Sequence, residues 1–281
     1  MEPMRFAPLE YAGGEWDVAV GDAREAPCDL RVLTWNVWFG GHMFEERRDA
    51  LFAELARRRP DVVALQEVTP ELLDSLLEQP WLQSGWQISS TALLAYDVMI
   101  LSRRRIRRMM RIELPSGMGR NLLVAELACG FTVATVHLES TREEVAARVQ
   151  QLGIIQPALL DRSTGARDAL LLGDMNFDAG APRETAALDQ RFVDVWPALH
   201  EAPGYTIDSS VNKMLRQVRD KSDHRRLDRM FLASARWRAT SIELVGTQPI
   251  AIDGTFVSDH FGLEATFAIA SGDASNAEAK T

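Results

Sequence analysis

The chain has 281 residues, 46% of them apolar and 25% charged, the make-up of a soluble globular protein with a core large enough for one α/β domain. Thirty-one Lys and Arg against 40 Asp and Glu give a formal net charge of −9 and a pI of about 5.2. This excludes a protein that coats nucleic acid by bulk charge, leaves room for a local basic groove, and suits carboxylates gathered around a cation.

The first 28 residues mix Pro, Gly and acids and read as an N-terminal arm without the basic and apolar regions of a leader. No run reaches the ~18 apolar residues of a membrane span. An intracellular, soluble location is expected, with no membrane partner. Cys28 and Cys129 border apolar strand-like runs and read as buried free thiols, since no CxxC or Cys/His cluster suggests zinc.

LRVLTWNVW (30–38) is a buried strand. MFEERRDALFAELARRRP (43–60) is an amphipathic helix with Phe44, Leu51, Phe52 and Leu55 on its apolar face, and Pro60 ends it. DVVALQEV (61–68) is a second buried strand. A helix over 70–79 follows, with Thr69 as N-cap and Pro70 at its first position. WQISS, YDVMILS, IRRMMRIEL, NLLVAEL and FTVATVHL are strand-like, the last two joined by a hairpin turn at Cys129-Gly130. A helix over 142–161 places Val145, Val149, Leu152, Gln156 and Leu159 on one face. DALLLGDM (168–175) is another buried strand, and RRLDRMFLA, RATSIELVG and DHFGLEATFAIA complete the strand set. The polar tail SGDASNAEAKT (271–281) reads as disordered, leaving 29–270 as the domain. Hairpins interleaved with helical crossovers predict an α/β fold, a four-layer sandwich of two packed mixed β-sheets flanked by helices.

Six strand ends finish in polar residues. They carry Asn36, Glu67, His137, Asp174 with Asn176, Asp228, and the pair Asp259-His260. One polar strand end is commonly just the chain leaving the core. Six of them together supply hard oxygen ligands, amide donors and a His–Asp pair. Phosphoryl transfer needs that set: carboxylates for a divalent cation, a carboxylate to activate water, and His and Asn donors for the phosphate oxygens.

TWN (34–36), LQEV (65–68), HLES (137–140), GDMN (173–176), LDRMF (227–231) and SDH (258–260) resemble the motifs of the endonuclease/exonuclease/phosphatase, or deoxyribonuclease-I-like, superfamily. RNLLVAEL (120–127), HLEST (137–141), YTIDSSVN (205–212), RLDRMF (226–231), IELVG (242–246) and FVSDHFGL (256–263) are similar to its 5′-tyrosyl-DNA phosphodiesterase branch. The resemblance implies a hydrolase with Mg²⁺ as cofactor, Mn²⁺ as substitute, and a single-stranded DNA 5′ end as substrate partner, working as a monomer in DNA repair. It implies metal contacts from Glu67, Asn36 and Asp259. Asp174 activates water, Asn176 and His137 hold the phosphate, and His260 acts with Asp228 behind it. Arg120, Asn121 and Tyr205 are implied to bind substrate. Two positions depart from the branch: Phe177-Asp178 follows Asn176 where an apolar residue and an Arg are usual, and Ile207 stands for a Trp. Other superfamily substrates (RNA, nucleotides, small phosphoesters) stay open, as does a non-catalytic binding module. Two basic stretches, Arg103 to Arg111 and Arg216 to Arg226, are each either a phosphate-tracking strip or a solvated surface. Trp38 and Phe39 either pack or stack on a ring of the substrate.

Overall fold

A computed structural model describes residues 3–19, 24–160, 168–219 and 223–270. Strands β1 (Met4–Phe6), β2 (Leu9–Ala12) and β3 (Glu15–Val18) lead into β4 (Leu30–Asn36), α1 (Phe44–Arg58), β5 (Val62–Val68), α2 (Pro70–Leu77), α3 (Pro80–Gln83) and β6 (Gln87–Ile88). Next come β7 (Asp97–Ser102), β8 (Ile106–Glu113), β9 (Asn121–Leu127), β10 (Thr132–His137), α4 (Val145–Leu160) and β11 (Ala169–Asp174). The last third holds α5 (Pro182–Ala187), β12 (Val193–Asp194), α6 (Val195–Leu199), β13 (Ile207–Asp208), α7 (Met214–Arg219), β14 (His224–Arg225), β15 (Asp228–Ala233), β16 (Trp237–Val245) and β17 (Gly262–Ile269).

Among the described residues, one large sheet runs β1-β8-β9-β10-β11-β15-β12 and a second β16-β17-β4-β5-β7-β6-β2-β3, while β13 and β14 form a two-stranded ribbon. Each large sheet holds a parallel pair, β10 with β11 and β4 with β5, inside otherwise antiparallel pairing. The N-terminal arm contributes strands to both sheets: β1 pairs with β8 in one and β2 with β6 in the other. The expected tail at 271–281 lies outside the described residues.

Continuous apolar strands make four layers because successive side chains face opposite ways. Val32, Val62, Ala64, Val133, Leu170, Leu172 and Met230 meet in the core between the sheets. Their neighbours Leu33, Trp35, Val63 and Leu65 face outward against Leu51, Phe52 and Leu55 of α1 and Leu72, Leu73 and Leu76 of α2. On the other side Ala134, Val136 and Leu171 face Leu152, Ile155 and Leu159 of α4. Thr69 caps α2 as expected, accepting a hydrogen bond from Leu72 N at 3.2 Å. Gly130, at φ +85°, turns β9 into β10.

The buried face of α4 differs from the expected one. Arg148, Gln151 and Ile155 are buried, whereas Val149 is half-buried. Arg148 is drawn inward because its guanidinium binds the Glu184 carboxylate at 2.9 Å and the carbonyls of Glu139 and Thr141. Both cysteines are free thiols, Cys129 buried and Cys28 half-buried, and burial pushes each thiol pKa up. In the stretch from Arg103 to Arg111, Ile106 and Met109 face the core. Arg104, Arg108 and Arg111 bind Asp61, Glu126 and Asp97, so their charge is largely committed to the protein. No helix among the described residues is long and apolar enough to cross a membrane.

Candidate active site

The site is the polar end of the inter-sheet core. On β4 the inward series is Val32, Thr34, Asn36; on β10 Val133, Thr135, His137; on β11 Leu170, Leu172, Asp174. On β15 it runs in reverse, from Asp228 to Met230 and Leu232. Parallel pairing brings the ends of β10 and β11 level, with His137 opposite Asp174. Antiparallel pairing sets Asp174 opposite Asp228 at the start of β15. Three charged or titratable groups thus stand in one row across a sheet. Gln66 bridges to the facing sheet, donating to Thr135 Oγ1 at 3.0 Å.

Two backbone features are special. Gly173 lies at φ +124°, and an added Cβ would sit 2.1 Å from the Val136 carbonyl oxygen. Only glycine lets β11 approach β10 closely enough to aim Asp174. Gly173→Ala is expected to cost roughly 3 kcal/mol or more, read as a lower thermal midpoint; an unchanged midpoint would refute this packing. Glu67 follows Gln66, so strict alternation would turn it away from the inter-sheet face. A register shift between Leu65 and Val68 and a φ of +63° at Glu67 redirect it into the site.

The Asn36 amide joins the carboxylates. Its oxygen accepts from Trp38 N at 3.0 Å, which fixes the orientation of the amide. Its nitrogen donates to Glu67 Oε1 and Asp174 Oδ2, both at 3.0 Å. The other Glu67 oxygen accepts from Phe39 N at 2.9 Å. Asp174 is the hub: Oδ1 accepts from Asn176 N at 2.9 Å, while Oδ2 lies 3.5 Å from His137 Nε2 and 4.0 Å from His260 Nε2. Asn176, at φ +52°, donates to the Leu138 carbonyl at 3.0 Å.

Arg120 Nη1 sits 3.0 Å from His137 Nδ1. A guanidinium only donates, so Nδ1 is the acceptor and a neutral His137 carries its proton on Nε2, facing Asp174 and Glu67. Burial pushes the His137 pKa down to about 4, against the pull of Asp174 and with the help of Arg120; the ring is neutral at pH 7. His260 Nδ1 bonds Asp228 Oδ2 at 2.7 Å. Burial drives the Asp228 carboxyl pKa up, with His260 opposing it. Burial also acts to raise that of Asp174, but His260, His137, the Asn176 amide and Asn36 outweigh it and hold it below the usual value.

The donor set suits a hard divalent cation: carboxylate oxygens and no thiolate. Asp174, Asp228 and His260 offer atoms within 4.8 Å of one another. Asp228 is committed to His260 and its side chain is 0% exposed, whereas that of Glu67 is 12% exposed. Glu67 is therefore the more accessible carboxylate, and a cation that keeps waters would be approached from its side.

The sequence profile of the Endonuclease/Exonuclease/phosphatase family matches residues 33–260, spanning every residue of this cluster. The chain belongs to that family. Its sequence is 30% identical over 259 residues to "Tyrosyl-DNA phosphodiesterase 2" of Xenopus tropicalis, covering 88% of this chain and 68% of that protein. It is 29% identical over 246 residues to the Homo sapiens protein of the same name, covering 83% and 66%. Among solved structures, D. rerio TDP2 complexed with single strand DNA product superposes with a TM-score of 0.76 at 26% identity, covering 85% of this chain and 98% of that one. The human Nocturnin catalytic domain shares the fold, with a TM-score of 0.66 at 17% identity over 88% of this chain and 97% of that one.

The remaining positions singled out in this family member divide into two groups. Arg120 is in the site, and its Nη2 donates to Ser140 Oγ at 2.8 Å. Ser140 Oγ lies 3.3 Å from Asn176 Nδ2, so Ser140 links the two residues. Asn121 is turned to Asp97, donating at 2.8 Å, while its own Oδ1 is buried without a hydrogen-bond partner among the described residues. Tyr205 packs its ring edge against His224; the next residue, Thr206, accepts from Asp228 N at 3.1 Å. Asp259 is buried, 3.4 Å from Ser258 Oγ, and that hydroxyl donates to the Asn36 carbonyl at 2.6 Å. Phe177 is buried beneath Arg229, and Arg229 and Arg226 both bind Asp194. Arg225 pairs with Asp223. From the stretch Arg216 to Arg226, residues 220–222 lie outside the described residues, as does the Arg219 side chain. Trp38 packs under Arg47, while exposed Phe39 stacks on Tyr96 at 4.9 Å. Ser140 and Thr206 fall inside the motifs HLES and YTIDSSVN, but their partners came only with the fold; Tyr96 was not legible as a site residue, because nothing in its spacing distinguishes it from an ordinary loop position.

Proposed function

We propose that this chain is a Mg²⁺-dependent phosphodiesterase that releases tyrosyl adducts from DNA 5′ ends, Mn²⁺ substituting for Mg²⁺. The observation that carries the reading is the convergence on the Asp174 carboxylate of Asn36, His137 and His260 from separate segments, with the Asn176 N–H two residues on and Glu67 beside them. Glu67 would hold the cation, with Asp259 as a further contact, and Asn36 keeps the Glu67 and Asp174 carboxylates in place. A bound divalent cation polarises the phosphate and offsets its developing charge. Asp174, kept ionised by its neighbours, orients and deprotonates the attacking water. His137 donates from Nε2 and Asn176 from its amide to phosphate oxygens. His260, held by Asp228, donates to the oxygen on which charge grows. Tyrosine suits this site as leaving group because its phenol has a pKa near ~10, so departure asks less of a general acid than an alkoxide does. Arg120 contacts the substrate beside His137, with Asn121 and Tyr205 as further substrate contacts.

A second reading, a small phosphoester as substrate, is favoured by Asp178 where the tyrosyl-DNA branch usually has Arg, and by Arg225 and Arg226 being committed to Asp223 and Asp194. The test compares a 5′-phosphotyrosyl oligonucleotide with bis-p-nitrophenyl phosphate between 50 and 200 mM salt. The proposal expects faster turnover of the oligonucleotide, with a steep salt dependence from counterion release. Equal rates without salt dependence would hand the site to a small-molecule esterase. EDTA is expected to abolish both activities and Mg²⁺ to restore them; activity that survives EDTA would end the metal reading.

A further inference from the structure

Arg47 is buried in the first turns of α1, and no carboxylate lies within ion-pair distance of it among the described residues. The Glu67 carboxylate acts on it only through space, and a buried cation so placed is costly unless every donor is satisfied. Here all five N–H positions find main-chain oxygens. Nε donates to Val257 O at 2.9 Å. Nη1 donates to Gly40 O at 2.7 Å and His42 O at 3.1 Å. Nη2 donates to Val37 O at 2.8 Å and Trp38 O at 2.7 Å. The guanidinium also lies 4.3 Å from the centre of the Trp38 ring.

Two of these carbonyls matter beyond packing. In a trans peptide the C=O of one residue and the N–H of the next belong to one rigid plane and point in opposite directions; the chain has no cis peptide bond among the described residues. The peptide whose oxygen is Val37 O has Trp38 N–H as its other end, and that N–H donates to Asn36 Oδ1. The peptide whose oxygen is Trp38 O has Phe39 N–H as its other end, and that N–H donates to Glu67 Oε2. One guanidinium nitrogen therefore holds the far ends of the two peptides that orient Asn36 and Glu67. A cation on a carbonyl oxygen also polarises the peptide and strengthens its N–H as a donor. The bond to Val257 O ties in the segment that continues to Ser258, whose hydroxyl donates to the Asn36 carbonyl. Trp38 sits at φ +57°, a conformation that needs outside support in a bulky residue.

We infer that Arg47 is the positioning residue of the cation side of the site, acting through the Val37–Trp38 and Trp38–Phe39 peptides to fix Asn36 and Glu67 for a divalent metal. This inference rests on the proposed metal dependence. Lysine can keep the charge but offers three donors from one atom and cannot span five carbonyls.

The test uses the whole chain. Calorimetry with Mg²⁺ alone on Arg47→Lys is expected to show affinity weakened about tenfold, the effect typical of losing an outer partner of a metal ligand. Substrate KM should stay within twofold at saturating metal, while kcat at limiting Mg²⁺ falls. Amide exchange at Trp38 and Phe39 should speed up, with protection in β4 and β5 as in the parent. Arg148→Lys is the matched control, a buried arginine serving the other sheet; its Mg²⁺ affinity should equal the parent's. An Arg47→Lys protein that binds Mg²⁺ as the parent does would overturn the inference. So would an equal loss in Arg148→Lys, which would mark general destabilisation. A parent that binds no Mg²⁺ would instead overturn the metal reading. If Arg47→Lys does not fold, the parent decides: freely exchanging Trp38 and Phe39 amides would show that no such clamp exists, and amides protected like those of β4 and β5 would support it.

Discussion

Glu67→Ala is expected to weaken Mg²⁺ binding and to lower kcat together, the latter on the order of 10³-fold, as when a preorganised electrostatic group is removed from a phosphoryl-transfer site. The carboxylate stands where the Asn36 amide and the Phe39 N–H hold its two oxygens, with His137 Nε2 3.9 Å away. Calorimetry and turnover should move together; a Glu67→Ala protein with parental Mg²⁺ affinity would remove Glu67 from the metal site. Stability supplies an independent signature. A non-glycine residue in the left-handed region costs about 1–2 kcal/mol, and Glu67 lies at φ +63°. Glu67→Gly should therefore be as inactive as Glu67→Ala but more stable than it, by about 1 kcal/mol. If the alanine protein melts higher, the bulge is not strained as described.

Asp228→Asn and His260→Ala are each expected to lower kcat by roughly 10²–10⁴-fold, and the double variant by little more than the worse single one. The 2.7 Å bond from His260 Nδ1 to Asp228 Oδ2 fixes the ring, so that Nε2 faces the Asp174 carboxylate. Asparagine keeps the shape but offers the ring only an amide, whose nitrogen can present a donor where an acceptor is needed. Groups that act as one unit give non-additive losses. Steady-state kinetics on the three variants decides the point: full multiplicative loss in the double variant, or near-parental activity in Asp228→Asn, would break the pairing.

The chemistry of the site was legible in the sequence because polar residues at the ends of apolar runs stand out against them. Asn36, Glu67, His137, Asp174, Asp228 and His260 were each identifiable in that way, and their motif order carried the family resemblance. The sandwich was legible too, since the apolar runs and their intervening hairpins and helices fit that architecture. Sequence could not give the register that sets His137, Asp174 and Asp228 in one row, because pairing is decided between segments far apart in the chain. Nor could it give the bulge that turns Glu67 inward, or the pairing of the N-terminal arm into both sheets. The buried arginines are the clearest case. Arg47 and Arg148 sit in helices where their charge argues for solvent, and local pattern assigns them there. Both are buried because carbonyls of neighbouring loops, and for Arg148 also Glu184, converge on them. Local sequence thus determined which residues could do phosphoryl-transfer chemistry, through polarity and periodicity. Tertiary structure alone decided how they face one another, because that depends on hydrogen bonds between segments that only the fold brings together.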